Sequence, residues 1–366
     1  MSKMYSTRSP EVDRMSSLRS LLLAAAVSVA LGSPPTFAQT PNPIGGTETG
    51  STPAPEAAPA TTPPVVPPTV KSSAKVVNMA ELLATSKPSE WRQPDPERTL
   101  YLFLATGKVV IELHPEFAPR HVANIIKLAR AHWYDGLAVV RVQDNFVAQW
   151  GDPLNSKPEV GEKHLPAEFK RGAAELPFVR MQDPDTYAPE VGFTNGMAVA
   201  RSGAGPDAEA WPLHCYGAVG VGRDNDPATA IGTELYAVIG QAPRQLDRNT
   251  AIVGRVIFGM ELLSALTRGT GEHGFYEQPE QREPIRSIRV AAELPASERL
   301  PLEVLRTDSK TFQKWVEARR NRRDAWYKVP AGRIDVCNVP VPVRERGDEH
   351  QDRGEHTDRS DARRKR

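Results

Sequence analysis

Cysteine is almost missing from this chain: among 366 residues only Cys215 and Cys337 occur. Two thiols exclude a disulfide-dense scaffold and a four-thiolate zinc centre. Charge of one sign is lacking as well. Lys and Arg number 46 against 45 Asp and Glu, a net charge of +1, so no basic field of the kind that gathers nucleic acid is present. The eight histidines show no metal-ligand spacing, and no nucleophile elbow occurs. The apolar run "LLLAAAVSVAL" (21–31) has eleven residues, short of the about 20 that span a bilayer.

That run has another reading. Arg19 precedes it, and "TFAQT" offers small-residue cleavage after Ala38, which together predict an export signal over residues 1–38. Met15 would open a cleaner signal than Met1, whose leader carries Glu11 and Asp13. No cysteine stands directly after the run, which argues against a lipid anchor. The expected location is the periplasm, with no membrane span once the signal is removed. In an oxidising compartment two cysteines more often pair than stay free, so a Cys215–Cys337 disulfide is expected. The alternative is two small buried apolar side chains. Closing so long a loop would contribute about 2–4 kcal/mol and tie the C-terminal segment to the body.

Proline is plentiful, 34 in all, and unevenly placed: nine fall from Pro41 to Pro68, with no aromatic residue between Phe37 and Trp91. Such sequence buries too little apolar surface to offset its ordering entropy, so residues 39–90 are expected to form a disordered, polyproline-biased linker. A folded body begins near Trp91. "TLYLFLATGKVVIELHP" predicts two strands around a turn at Thr106-Gly107. In "APRHVANIIKLARAHWYDG" the period becomes helical, with Val122, Ile125, Ile126 and Ala129 on one face. Strand-like pieces follow at "GMAVAR" (196–201), "TELYAVIGQ" (233–241), "AIVGRVIFG" (251–259) and "PIRSIRVAAEL" (284–294), with a short helix "MELLSALT" (260–267) among them. Many short strands and few helices argue a barrel or a sandwich. Farther on, residues 297–343 are expected to pack on this body through a helix carrying Phe312, Trp315 and Val316. The tail 344–366, with eight basic and seven acidic residues, is expected to be disordered.

One segment poses a chemical question. "VVRVQDNFVAQWGDP" (139–153) reads as buried strand yet centres on Arg141, and a guanidinium is rarely buried without a partner. Its wider context, "GKVVIELHPEFAPRHVANIIKLARAHWYDGLAVVRVQDNFVAQWGDP" (107–153), resembles the opening of a cyclophilin-type peptidyl-prolyl cis-trans isomerase. The matching residues are Glu112-Leu113, Ala118-Pro119, Asn124, Tyr134-Asp135-Gly136, and then, without a gap, Arg141, Phe146, Gln149 and Gly151-Asp152. Further matches are "LPAEF" (165–169), "VARSG" (199–203), "GTELY" (232–236), "QLD" (245–247) and "VGRVIFGMELL" (253–263), so the resemblance runs over about residues 98–294.

The resemblance implies a mainly β fold: a closed eight-stranded antiparallel barrel capped by two helices, here over residues 91–296, with the C-terminal extension adding one helix. It implies a prolyl site on the outside of the barrel, acting on proline-containing polypeptides with no cofactor or metal; a monomer is the expectation. Arg141 would be the catalytic arginine and Phe146 the floor of the proline pocket, with Tyr236 and Leu246 as walls. Gln149 would orient Arg141 and touch the substrate carbonyl, while Ala200 would present backbone to the peptide. Several positions depart from the family pattern. Glu234 replaces a substrate-contacting glutamine, Thr250 a histidine, and Gln245 a tryptophan found in many members. Between Arg201 and Gly232 an insertion of roughly twenty residues, containing "WPLHCYGAVGVGRDNDP", is expected to be a surface loop near the groove. Three roles follow: a folding isomerase for exported polypeptides, a catalytically weak prolyl-peptide-binding chaperone on the same fold, and a structural envelope protein. Arg141, Phe146 and Gln149 together favour the first, because a pure binder has no need of the arginine.

Overall fold

The structure, a computed structural model, describes residues 78–347, positions 155 and 325 excepted. The expected signal, most of the linker and the tail from residue 348 lie outside the described residues. No helix among the described residues is long and apolar enough to cross a membrane.

Eight antiparallel strands close into a barrel: β1 Thr99–Leu104, β2 Lys108–Leu113, β3 Ala138–Val142, β4 Val147–Gly151, β5 Ala218–Val221, β6 Glu234–Val238, β7 Ile252–Phe258 and β8 Glu283–Val290. Their order around the barrel is β5-β6-β4-β3-β8-β1-β2-β7, and β7 pairs with β5 to close it. The two-residue period of a strand sorts the side chains. Leu100, Leu102 and Leu104 of β1 point into the central core with Val109 and Ile111 of β2, while Tyr101 joins a separate outer cluster with Val110 and Ile257. The interior is thus filled with side chains, and any ligand site must lie outside it.

Two helices cap the barrel. Helix α2, Pro119–Arg130, starts on a proline that suits the first turn, ends with Lys127 and Arg130 near its negative pole, and buries Val122, Ile125, Leu128 and Ala129. Helix α3 is shorter than the sequence suggests, Met260–Ser264. Gly259 before it has φ 79°, and a Cβ there would lie 2.4 Å from the Lys108 carbonyl oxygen, so only glycine fits.

A five-stranded sheet packs beside the barrel. Its order is Arg171–Gly172, Glu209–Pro212, Met197–Ser202, Glu190–Thr194, Val179–Arg180. This corrects the expected surface loop: residues between Arg201 and Gly232 include the strand Glu209–Pro212 and barrel strand β5 itself. Both have only four residues, and the glycines of "GAVGVG" further obscure β5. Phe193, Trp211 and Leu213 of this layer pack with Phe312 and Val316 of helix α4, Lys310–Arg320; the Phe193 and Phe312 rings meet edge-to-face at 5.0 Å.

The ends of the described region also fold. Helix α1, Met79–Ala84, lies within the expected linker, yet Leu82 is buried and Trp91 Nε1 donates 2.7 Å to Ser86 Oγ. A three-stranded sheet joins Trp91–Arg92, Leu302–Leu305 and Val343–Glu345, so the first residues of the expected tail are strand. Arg344 stacks on Trp91 at 4.1 Å and donates to Glu303. Cys215 and Cys337 form a disulfide, Cα–Cα 4.9 Å, across a separation of 122 residues. It ties the stretch after the second sheet to the C-terminal segment, as expected.

Candidate active site

The register between β3 and β4 answers why an arginine follows two valines. Val139 pairs with Trp150 and Arg141 with Gln149, so the ladder shifts by one residue between them. Such a bulge places two successive residues on one face. Val139 and Val142 belong to the core, whereas Arg141 is half-buried on the outer surface beside its cross-strand partner Gln149. The following turn is held by Asn145, left-handed at φ 52°, whose Oδ1 accepts 2.8 Å from the Gln241 amide. This turn presents Phe146.

Arg141 is fixed from several sides. Its Nε donates 2.7 Å to the His273 carbonyl, one Nη donates to Gln143 Oε1, and the other reaches Gln149 Oε1 at 3.2 Å. Phe146 and Phe275 lie at 5.4 and 5.3 Å from the guanidinium carbon, each contributing about 0.5–1 kcal/mol of cation–π attraction. Burial lowers the Arg141 pKa from its ordinary value, and the negative charge of Glu234 acts in the opposite sense. Gln149 in turn donates 2.7 Å from Nε2 to Glu234 Oε2. An Arg141–Gln149–Glu234 chain therefore crosses three adjacent strands, β3, β4 and β6.

This chain lines an external groove of about 410 Å³. Phe146, Tyr236, Leu246 and Thr250 share it, with Glu234 at its side. Thr250 is occupied: its hydroxyl donates 2.7 Å to the Val221 carbonyl. The Tyr236 hydroxyl lies 2.9 Å from His214 Nε2; His214 Nδ1 lies 2.9 Å from Asp247, and Asp247 accepts from Arg244. Burial raises the Tyr236 pKa, so this wall of the groove is a neutral phenol.

Ala200 does not reach the groove. It is fully buried in the middle of the second sheet, with Val191 on one side and Trp211 on the other, and its backbone is enclosed by those neighbours. The groove takes that part of its wall from Val221, Gly222, Arg223 and Asp224. The sequence holds two similar pieces, Val199-Ala200-Arg201 and Val221-Gly222-Arg223, and the second is the one beside β6. A Cβ on Gly222 would lie 2.9 Å from Glu234 Cβ and 3.4 Å from Gln149 Nε2, so glycine keeps the Gln149–Glu234 pair in place. Phe275, Gln143 and the His273 carbonyl were also missed. Phe275 and His273 sit in a glycine-rich loop with no periodicity, where left-handed φ values of 54° at His273 and 79° at Gly274 mark a constrained turn.

Glu234 is half-buried. Burial raises its pKa from the ordinary value of 4.5, the Gln149 hydrogen bond opposes this, and the carboxylates of Asp224 and Asp152 add to the rise. The groove thus sets a guanidinium at one end of a short polar chain and a destabilised carboxylate at the other.

The result is an external cleft that holds a fixed guanidinium beside apolar side chains, on a barrel with a solid interior. Residues 100–290 match the family model described as cyclophilin type peptidyl-prolyl cis-trans isomerase/CLD. A probable peptidyl-prolyl cis-trans isomerase of Brucella suis biovar 1 (strain 1330) is 28% identical over 200 residues, covering 51% of this chain and 81% of that protein. Peptidyl-prolyl cis-trans isomerase-like 1 of Homo sapiens is 25% identical over 215 residues, 58% of this chain and 99% of that one. Among solved structures, cyclophilin AquaCyp293 from Hirschia baltica superposes with a TM-score of 0.56 at 27% identity, over 70% of this chain and 94% of that one. The chain belongs to the cyclophilin-type peptidyl-prolyl cis-trans isomerase family.

Proposed function

We propose that this chain accelerates cis–trans rotation of Xaa–Pro bonds in exported polypeptides, as a folding catalyst of the periplasm. The observation that carries the activity is Arg141, anchored by three acceptors and two aromatic rings at the rim of the groove floored by Phe146. The rotation has a barrier near ~20 kcal/mol and takes tens of seconds uncatalysed. An acceleration of about five decades asks for roughly 7 kcal/mol of transition-state preference. Twisting the bond ends amide resonance, so the proline nitrogen becomes a better hydrogen-bond acceptor. A guanidinium beside that nitrogen then binds the twisted state better than the planar one. One charge-assisted hydrogen bond supplies about 1.5–3 kcal/mol. The remainder falls to the apolar pocket of Phe146, Tyr236 and Leu246 and to the preset orientation of the arginine.

Export rests on the sequence alone: the apolar run behind Arg19 and the small-residue site after Ala38. The disulfide is compatible with it. Fractionation of cells producing the full chain tests the location; recovery of an unprocessed chain in the cytoplasm overturns it. Two-dimensional NMR exchange on a short Ala-Pro peptide tests the activity without a coupled protease. Exchange cross-peaks at catalytic amounts of protein support the isomerase. Peptide binding without exchange would leave a prolyl-peptide-binding chaperone on the same fold.

A further inference from the structure

A second cavity, about 510 Å³, opens on the far side of strand β7, under the segment that the disulfide anchors. This volume falls in the range of small-molecule sites. Its lining is mostly apolar, including Met197, Leu213, Val256 and Val341, and its charged residues are Arg255 and Glu261. The Arg255 side chain makes no hydrogen bond, and its Nε and Nη2 are buried without a hydrogen-bond partner. Its nearest carboxylate, Glu112, stands 3.8 Å away and is already held by two hydrogen bonds from Arg92, with His114 at 3.5 Å. Leaving buried donors of a cation unmade costs about 1–3 kcal/mol or more, and a native site of this kind calls for a missing partner.

The nearby turn brings the cations together. Gly196 has φ 94°, and a Cβ there would lie 3.1 Å from Arg92 Nη2 and 3.6 Å from Arg255 Nη2. Two guanidinium groups therefore face the Glu112 carboxylate beneath a glycine, with Glu116 beyond it on His114 and Asn195, and the Arg255 guanidinium, hydrogen-bonded to none of them, borders the apolar cavity. Glu261 is exposed, and its negative charge disfavours ligands with more than one anionic group.

We propose that this cavity binds a monocarboxylate with an apolar tail, the carboxylate meeting Arg255 and the tail lying against Met197, Leu213 and Val341. The test is calorimetric titration of the full, oxidised chain with dodecanoate and with dodecanol, below their aggregation limits, beside Arg255→Met and Val341→Trp variants. The wild type should bind dodecanoate saturably and at least about tenfold tighter than dodecanol. Arg255→Met should erase that difference, and Val341→Trp, which fills the cavity away from the charges, should weaken both ligands. Equal binding of acid and alcohol, or no saturable binding, overturns the proposal. So does dodecanoate binding that survives Val341→Trp but is lost in Arg141→Ala, since the acid would then sit in the prolyl groove. If Arg255→Met fails to fold by circular dichroism, the acid–alcohol comparison and Val341→Trp still decide.

Discussion

Replacing Glu234 by Gln removes the one charge that sets this groove apart. The Glu234 carboxylate accepts 2.7 Å from Gln149, no cation bonds it directly, and burial with Asp224 and Asp152 nearby raises its pKa. A basic side chain next to the substrate proline would relieve that strain by pairing with the carboxylate. Exposed pairs are worth about 0.2–1 kcal/mol; a half-buried site on a groove wall belongs at the upper end, so about 1 kcal/mol, or roughly fivefold in kcat/KM. NMR exchange on two peptides that differ only in a Lys or an Ala beside the proline reads this ratio directly. The wild type should favour the Lys peptide, and Glu234→Gln should bring the ratio near one. The preference should fade on acidification, beginning above the pH at which an ordinary carboxylate of pKa 4.5 titrates. Linkage runs the same way. A raised folded-state pKa contributes stability below the unfolded value that is lost as pH rises through the folded one, so the variant should melt higher than the wild type at neutral pH. An unchanged peptide ratio in Glu234→Gln would refute the reasoning.

Phe275→Ala removes one of the two rings flanking Arg141 and should lower kcat/KM about two- to fivefold, consistent with ~0.5–1 kcal/mol of cation–π attraction, with the thermal midpoint little changed; full activity would deny the loop a part in the site. Reducing the Cys215–Cys337 disulfide should cost about 2–4 kcal/mol of stability and raise amide exchange in residues 336–343 first, while peptide exchange in the groove persists. At the Glu112–His114–Glu116 cluster, the half-buried side chain of Glu116 bonds to His114, which brings its pKa from 4.5 to about 2 against the cost of burial. That stability is present above pH 4.5 and lost as pH falls toward about 2, so Glu116→Gln should flatten this limb of an acid-unfolding curve.

The barrel and its arginine were readable because their signals are local and ordered. Hairpin β1–β2 shows in alternation around Thr106-Gly107, helix α2 in its period, and Arg141, Phe146 and Gln149 in an ungapped motif. The bulge beside Val140 was not, since "AVVRV" alternates no more clearly with the bulge than without it. Ala200 and Gly222 sit in similar pieces, Val199-Ala200-Arg201 and Val221-Gly222-Arg223, and non-local pairing, one with Trp211 and Val191, the other beside Glu234, tells them apart. Strands Arg171–Gly172 and Val179–Arg180 have two residues each, too short for a period. Helix α1 has six residues and follows proline-rich sequence, so its burial depends on the distant helix α4.

The central claim is that Arg141 binds the twisted prolyl bond better than the planar one. NMR exchange of a single Ala-Pro peptide, with wild type, Arg141→Lys and Arg141→Ala compared at equal concentration, tests it most directly. The account predicts rapid exchange with the wild type and a fall of about two decades in Arg141→Ala, the loss of one charged hydrogen bond of about 3 kcal/mol. Arg141→Lys should lie between, because an ammonium keeps the charge but not the three-way anchoring by His273, Gln143 and Gln149. Exchange that stays fast in a folded Arg141→Ala variant would contradict the account.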